Sequence, residues 1–393
     1  MPIRNQTGPA YGMPAPTFEA DLVRVGPGTP GGEVLRRYWI PVALAAEVED
    51  VPLAIRALGE DLVLFRTGSG EYGMIYPRCI HRGADMRYGK IDVDGIACCY
   101  HGWKFAPDGR CLAQPCEPTF DAEKYRVRQP WYPVREQYGL IFAYMGPLDR
   151  KPPLPRYDVF EDLAADRMLQ ADGDSLGSGG PDRMPCNWFQ THENVMDPAH
   201  VSVLHQGQFP PEMAQAFAEN DFDVSEGLIY GHAAKTLPNG MTMRMSAELV
   251  FPNIRIIPDP FLTGMGRAQM IGWTLPIDDH MTRIFTVLNL AKDQVRVHQR
   301  DIAAYDGKTW HQLTLRQHQQ FPGDFEAQVG QGVITFHSEE HLATSDKGVV
   351  AFRNMFRAAI RAVQDGGDAP MAFGRTEIYH CVRASVSMEM ASA

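Results

Sequence analysis

Short runs in which apolar and polar residues alternate dominate the chain from about residue 40 to residue 147. The runs 53–58, 62–66 and 73–76 are separated by turn formers such as Thr67-Gly-Ser-Gly70, while Asp94-Gly95 and Pro107-Asp-Gly109 mark later hairpins. A period of two predicts strands, so this stretch reads as a small all-β domain. Before it, residues 1–20 are rich in Pro, Gly and polar side chains and are expected to be loosely ordered until docked. Thr29-Pro30 then opens a short helix ending near Tyr38. Gly146-Pro147 and the run Lys151-Pro-Pro-Leu-Pro155 look like a connector.

Beyond the connector the pattern is mixed. Residues 172–180, poor in apolar side chains, read as a flexible loop. A helical segment over 187–206 is followed by strand-like runs at about 227–235, 240–250, 253–258, 266–275 and 282–291. Helices are predicted at about 308–320 and from Ser345, as N-cap, to Gln364. Met241, Met243 and Met245 alternate with Thr242, Arg244 and Ser246, which makes one face of that strand apolar. Ordinary core is the first reading of such a face, and a methionine-lined pocket the second. The fold class is therefore α+β, divided as 1–39, 40–150 and 151–393.

A chain of 393 residues exceeds the size at which one core keeps growing, which agrees with two cored domains. The net charge of -11 offers no electrostatic reason to bind nucleic acid or an anionic membrane. No long uncharged apolar run is present, so neither a signal peptide nor a membrane span is expected, and the default location is cytoplasmic. Seven cysteines in a chain this long do not make a disulfide scaffold; their clustering points to metal ligation.

Two segments of the β domain carry that chemistry: Cys79-Ile-His81-Arg-Gly and Cys98-Cys-Tyr-His101-Gly-Trp. Each half supplies one thiolate and one imidazole from a loop between predicted strands. Zinc fingers divide their ligands differently, each half taking one kind. A Rieske 2Fe-2S centre needs this division, two Cys on one iron and two His on the other. Cys79 and Cys98 are read as the thiolate pair, His81 and His101 as the imidazole pair. Cys99 competes for the thiolate role, but the C-x-x-H spacing counts from Cys98, so Cys99 is expected to point into the core as a small apolar residue.

The second concentration of chemistry runs from Asn187 to His205 and contains Asp197-x-x-His200-x4-His205. Asp197-Pro198 reads as a helix start, Asp as N-cap and Pro as first helical residue. Two imidazoles and a carboxylate with open positions form the facial triad of non-haem Fe(II) oxygenases. On a regular helix His200 and His205 would diverge by about 140°. Shared ligation therefore predicts a distortion within 200–205, such as a π-type turn. The alternative is a pair of unrelated histidines on a solvated face.

The stretches Arg24-Val-Gly-Pro-Gly-Thr-Pro30, Arg36-Arg-Tyr-Trp39, Leu58-Gly-Glu-Asp-Leu-Val-Leu-Phe65 and Gly332 to Asp346, together with both Cys/His halves, carry a family resemblance. Over nearly its whole length the chain resembles the oxygenase (alpha) component of Rieske non-haem iron aromatic-ring-hydroxylating oxygenases, in the phthalate dioxygenase-like and aromatic O-demethylase branch. Glu193, Asn194, Asp197, His200 and His205 match the family motif. The resemblance implies an all-β Rieske domain ahead of a helix-grip (START-like) catalytic domain with an antiparallel sheet, the N-terminal segment packing on the latter. It implies a 2Fe-2S cluster, a mononuclear Fe(II) held by His200 and His205, and catalytic roles for Asn194 and Asp197. Asp197 would bridge His200 to the cluster ligand His101 of a neighbouring subunit. Candidates for the third iron ligand are Asp197, Asp324, Glu339, Glu340 and Asp346; the resemblance places it at Asp324, and a carboxylate from a distant segment also fits physically. Glu339, Glu340 and Asp346 read better as decoration of the last helix.

The same resemblance implies a homotrimer, O2 and a small aromatic substrate. Electrons would come from a separate NAD(P)H-dependent reductase, since this chain carries no dinucleotide fingerprint. Hydroxylation or O-demethylation of an aromatic, carboxylated substrate is the expected activity, with cis-dihydroxylation as the alternative. A di-iron enzyme built on Asp197-x-x-His200 and Glu377-x-x-His380, and a Rieske electron carrier with an inert second domain, are the rivals. Arg244, Arg255, Arg267 and Arg283 all lie on plausible strands and could anchor a carboxylate. Trp188 and Phe189 are expected in the core, and the side of Gln190 is left open.

Overall fold

The computed structural model describes residues 15–119, 126–161, 163–173, 180–206, 209–217, 219–259, 264–293, 303–372 and 379–390. Two compact units emerge, one of residues 36–152 and one combining residues 1–35 with 153–393. Most of the 1–20 segment, most of the 172–180 loop and Glu377 lie outside the described residues.

The 36–152 unit is built from short antiparallel strands. Leu53–Ala57, Glu60–Arg66, Tyr72–Ile75 and Trp131–Tyr132 form one sheet; Lys90–Ile91, Ile96–Ala97, Lys104–Phe105 and Cys111–Ala113 form a second; Trp39–Leu44, Leu140–Tyr144 and Val134–Gln137 form a third. Ala57 pairs with Glu60 across Leu58 and Gly59, both in the left-handed region, which is the backbone a two-residue hairpin requires. The core gathers Val63, Phe65, Ile75, Ile96 and Phe105 around Cys79 and Cys98. Gly73 has to stay bare, because a Cβ there would lie 2.5 Å from the Phe65 ring and 2.9 Å from the Pro107 backbone.

The larger unit is organised by an antiparallel sheet in the order Arg167–Asp172, Thr282–Ala291, Met270–Pro276, Ile254–Ile256, Met241–Val250, Leu228–Thr236 and Glu219–Ser225. Ser385–Met390 pairs with Met241–Val250 as well. The long helix Lys347–Gln364 buries Val349, Phe352, Arg353, Phe356 and Ile360, an i, i+3, i+4, i+7 stripe. Phe352 and Phe356 pack around Trp188, Phe189 and Phe251, with ring centroids 5.0 Å apart for Phe189–Phe352 and 5.5 Å for Phe251–Phe356. Trp188 and Phe189 are thus core, as expected. Gly348 lets this helix approach the turn before the His200–His205 segment: a Cβ there would meet the Met196 carbonyl at 2.4 Å. Met243 is buried with Met213, Leu237 and Val386, and Val201 and Phe209 pack against the same cluster.

Two predicted helices need correction. Residues 308–320 are not one helix: Lys308–Thr309 pairs with Ala303–Tyr305 across a left-handed Asp306–Gly307 turn, a 3-10 turn follows at Trp310–Gln312, and helix runs only over Leu315–Gln320. The Asp-Gly pair is a hairpin signal, and Thr314 with Gln317 forms the capping box that starts the true helix. The last helix starts at Lys347 and not after Ser345, because Asp346 folds back to accept the Ala343 amide at 2.6 Å and closes a 3-10 turn.

Glu248, fully buried on Met241–Val250, accepts from His380 Nε2 at 2.7 Å and from the amides of Arg383 and Ala384 at 2.5 and 2.6 Å. Burial pushes its carboxyl up, but His380 and the two amides hold it below the usual glutamate range. Its stabilising effect is therefore complete above the free-glutamate value and lost as pH falls through the lower folded one. Glu248→Ala is expected to cost about 3–5 kcal/mol near pH 7, as for a broken buried pair. Urea unfolding should show this deficit shrinking as pH drops below about 4.5.

Candidate metal centres

Two loops of the same construction carry the first candidate centre. The Cys79 amide donates to Ala84 and the Gly83 amide returns to Cys79 at 2.7 Å; the Cys98 amide donates to Trp103 and the Gly102 amide returns to Cys98 at 3.0 Å. Gly83 and Gly102 both have φ near +70°, so each loop closes on a residue without a Cβ. Cys79 and Cys98 are 2% and 5% exposed and belong to the same buried cluster. The half-buried His81 and His101 rings lie 4.6 Å apart, with Trp103 stacked on His81 at 4.5 Å. Two buried thiols and two outer imidazoles suit the 2Fe-2S division of ligands.

Burial, together with the neighbouring Cys98 and against the His81 amide, pushes the Cys79 thiol up to about 11. A bound cation is what would make Cys79 a thiolate near neutrality. Gln129, fully buried, clamps the first loop: its Nε2 donates to the carbonyls of Tyr76 (2.8 Å) and Arg78 (3.0 Å), and its Oε1 accepts the Ile80 amide at 3.0 Å. No local motif marks that glutamine. Cys99 corrects an expectation: it is exposed, because Cys98 takes the inward position and its neighbour turns out to solvent.

The second candidate centre begins at the helix Trp188–Glu193, started by Asn187, whose Oδ1 accepts the Phe189 amide at 2.9 Å. Gln190 faces inward: its Nε2 donates to the carbonyls of Gln328 and Gly332, and its Oε1 accepts the Thr335 amide. This ties the helix to Asp324–Gly330, the helix that opens with Asp324. Among the described residues, His200, His205 and Asp324 form a group whose ligand atoms all lie within 4.8 Å of one another. Asp324 Oδ1 is 3.8 Å from His200 Nε2, and Oδ2 is 3.3 Å from His205 Nε2. Ligand atoms on one side of a metal at bonds of about 2.1 Å lie roughly 3 Å apart, so a small inward adjustment would suit a facial site.

The His200–His205 segment departs from the predicted conformation in two ways. Helix covers only Val201–Leu204, with His200 as its cap, so Asp197-Pro198 does not begin it. Asp197 Oδ1 accepts the amides of Ala199 (2.9 Å) and His200 (3.4 Å), making a separate turn first. No π-turn forms; the helix stops after one turn and His205 leaves it at φ −93°, ψ 16°. Termination does the work expected of a bulge and brings the two rings to 5.4 Å.

His200 Nδ1 bonds to the Asp197 carbonyl, which leaves Nε2 toward Asp324. Asn194 Nδ2 lies 3.4 Å from both His200 Nε2 and Asp324 Oδ1. Burial pushes the Asp324 carboxyl up, but His205, His200 and Arg255 hold it below the usual range. The same opposition acts at Asp197, where His200 and two amides outweigh burial. Phe209 covers His205 at 4.5 Å. Glu193 forms a buried two-point pair with Arg353, which also holds Glu340. Glu340 thus braces the last helix, Asp346 stands before it with its carboxylate turned back to the Ala343 amide, and Glu339 lies in an earlier turn. His380 is taken by Glu248, away from the rival di-iron reading.

An antiparallel β unit with a Cys2His2 loop pair, joined in one chain to a sheet-and-helix unit with a two-His, one-carboxylate group, defines a Rieske-type oxygenase component. Residues 38–132 match the Rieske [2Fe-2S] domain family. The chain is 45% identical to phenoxybenzoate dioxygenase subunit alpha of Ectopseudomonas oleovorans, covering 92% of this chain and 89% of that one. It is 34% identical to the tert-butanol monooxygenase / tert-amyl alcohol desaturase oxygenase subunit of Aquincola tertiaricarbonis, over 88% and 77%. A solved structure of a Pseudomonas putida NdmA mutant with caffeine shares the fold at a TM-score of 0.63 and 18% identity, over 93% of this chain and 99% of that one. The chain belongs to the Rieske non-haem iron oxygenases, as a terminal oxygenase component using a 2Fe-2S cluster and a mononuclear iron. No helix among the described residues is long and apolar enough to cross a membrane.

In folded, cluster-free protein, the exposed Cys99, Cys116 and Cys381 should react quickly with a thiol reagent, while the buried Cys79 and Cys98 stay slow. Gln129→Leu removes the side-chain partner of three part-buried backbone groups, at about 0.5–1.5 kcal/mol for each. The expected outcome is rapid labelling of Cys79 in the variant, read by peptide mass mapping.

Proposed function

We propose that this protein oxygenates a small aromatic carboxylate, with His200, His205 and Asp324 as ligands of the mononuclear iron and Cys79, Cys98, His81 and His101 as ligands of the cluster. The reading rests first on the convergence of two imidazoles and a distant carboxylate within one chain that also carries the Cys2His2 loops. A pure electron carrier has no use for the former group. The substrate class draws on the phenoxybenzoate relative, which is the more similar of the two reported.

When bound, the two centres supply one-electron storage and dioxygen activation. The residues of the chain do the rest. The Asp197 carbonyl fixes the His200 tautomer, so that Nε2 faces the metal position. Asn194 holds the Asp324 carboxylate in line with that ring. Phe209 and the methionine cluster beside it keep water from the His205 side. Asp197 is also the proposed link to His101 of a neighbouring subunit, in a cytoplasmic homotrimer fed by an NAD(P)H-dependent reductase. Substrate placement decides among ring hydroxylation, cis-dihydroxylation and attack on a methoxy carbon, which yields a phenol and formaldehyde.

Iron analysis of the reconstituted protein should give about three irons per chain, the cluster's pair plus one. Asp324→Ala should lower this to about two with the cluster absorption intact; a full complement in that variant would remove Asp324 from the ligand set. Asp197→Asn should keep both metal sites filled yet cut turnover by about 10- to 100-fold, as loss of a metal-site partner does. Products from phenoxybenzoate, methoxybenzoates and tert-butanol, with a formaldehyde assay, identify the reaction. Turnover of tert-butanol alone would overturn the aromatic-acid assignment.

A further inference from the structure

The structure separates the four candidate arginines. Arg267 donates to the Val382 carbonyl and pairs with Asp158. Arg283 donates to the Gly173 carbonyl and lies 4.5 Å over the Phe285 ring. Arg244 is exposed. Arg255 differs from all three: it is 7% exposed, its Nη2 donates to the Thr191 carbonyl at 2.6 Å, and its Nε is buried with no hydrogen-bond partner.

The negative group that acts on Arg255 is Asp324, and that carboxylate is already shared between His200 and His205. A buried guanidinium with an open edge, held on the Thr191 carbonyl of the Trp188–Glu193 helix, therefore lies within electrostatic reach of the candidate iron ligand Asp324. Its stem crosses Gly272, where a Cβ would lie 2.8 Å from Arg255 Cγ and 3.0 Å from Cδ. Arg255, Gly272 and Thr286 occupy one cross-strand row, so the bare glycine lets the arginine run toward Thr286. Thr286 Oγ1 is likewise buried without a partner. Two residues along from Gly272, Thr274 meets His192 of the Trp188–Glu193 helix at 3.0 Å, so this face of the sheet is the one turned toward that helix.

We propose that Arg255, assisted by Thr286, reads the carboxylate of the substrate and makes the enzyme select an anionic aromatic acid over its neutral analogue. This rests on the aromatic-acid reading above and assigns it to particular atoms. One carboxylate accepts from Arg255 Nε and an adjacent Nη, and from the Thr286 hydroxyl, satisfying both open groups at once. A neutral analogue leaves the guanidinium desolvated and unpaired, and sites of this kind reject such analogues strongly. Gly272 belongs to the same device, since any side chain there would displace the arginine stem.

The test is equilibrium binding, by calorimetry, of phenoxybenzoate and phenoxybenzamide to the iron-loaded full chain and to Arg255→Gln, Arg255→Lys and Thr286→Val. Cluster absorption reports folding of each variant. The natural sequence should favour acid over amide by about 100-fold, and Arg255→Gln should bring that ratio close to one, the size of loss expected for a buried charge-assisted pair. Arg255→Lys, a point charge without the fork, should lower the ratio about tenfold, and Thr286→Val by a few-fold, roughly one neutral hydrogen bond. An unchanged ratio in Arg255→Gln overturns the proposal; if that variant does not fold, an unchanged ratio in Arg255→Lys does so. Equal affinity for acid and amide in the natural sequence, or affinity for neither, also overturns it. Binding is measured without reductant or dioxygen. Intact acid selectivity with no turnover would therefore count against the oxygenase reading, and not against Arg255.

Discussion

A carboxylate buried between two imidazoles is the constraint on which the larger unit depends. Asp324 is 8% exposed, and a lone carboxylate that far from water would take up a proton. It stays ionised because His205 and His200 flank it and the charge of Arg255 reaches it, so the fold has to bring these groups together and keep them there. The elements that do so are ordinary. Gln190 stitches the Trp188–Glu193 helix to the segment after Asp324, Asn194 touches both a histidine and the acid, and Arg353 binds Glu193 from the long helix. Each joins segments far apart in sequence, and none is itself in the ligand group.

The smaller unit meets the opposite problem with the same economy of parts. Its two inner candidate groups are thiols, and burial favours the protonated form of Cys79, so the site is poised for a cation rather than pre-charged. What it supplies beforehand is shape. Two loops of like construction end on glycines in left-handed conformation, and Gln129 holds one of them by three hydrogen bonds. The imidazoles stay at the outer side, half exposed, where an electron could leave.

Residues whose chemistry and spacing are both unusual were legible without coordinates. The Cys/His halves, the two histidines of 200–205 and the strands from 227 to 291 were read from pattern, and the sheet follows those runs closely. Errors arose where two local signals competed. At 308–320 the start and stop signals of a helix overlap the second strand of a hairpin that turns at Asp306-Gly307, and strand pairing claims the first residues. At Cys99, spacing alone could not show which of two adjacent thiols faces inward, since neighbours on an extended chain point to opposite sides. At 200–205 the need for a distortion was clear, yet its form was not: ending a helix is simpler than widening one.

By itself the sequence determined what depends on short-range order: strand and helix periodicity, the ligand types, their spacing within each loop, and the family to which the chain belongs. Only the tertiary structure decided what depends on residues far apart. It separated Asp324 from its rival carboxylates, gave Gln129, Gln190 and Arg353 their bracing roles, and distinguished Arg255 from three other arginines on similar strands. The physical reason is that a buried charge is defined by everything around it, and those surroundings are assembled only when the chain folds.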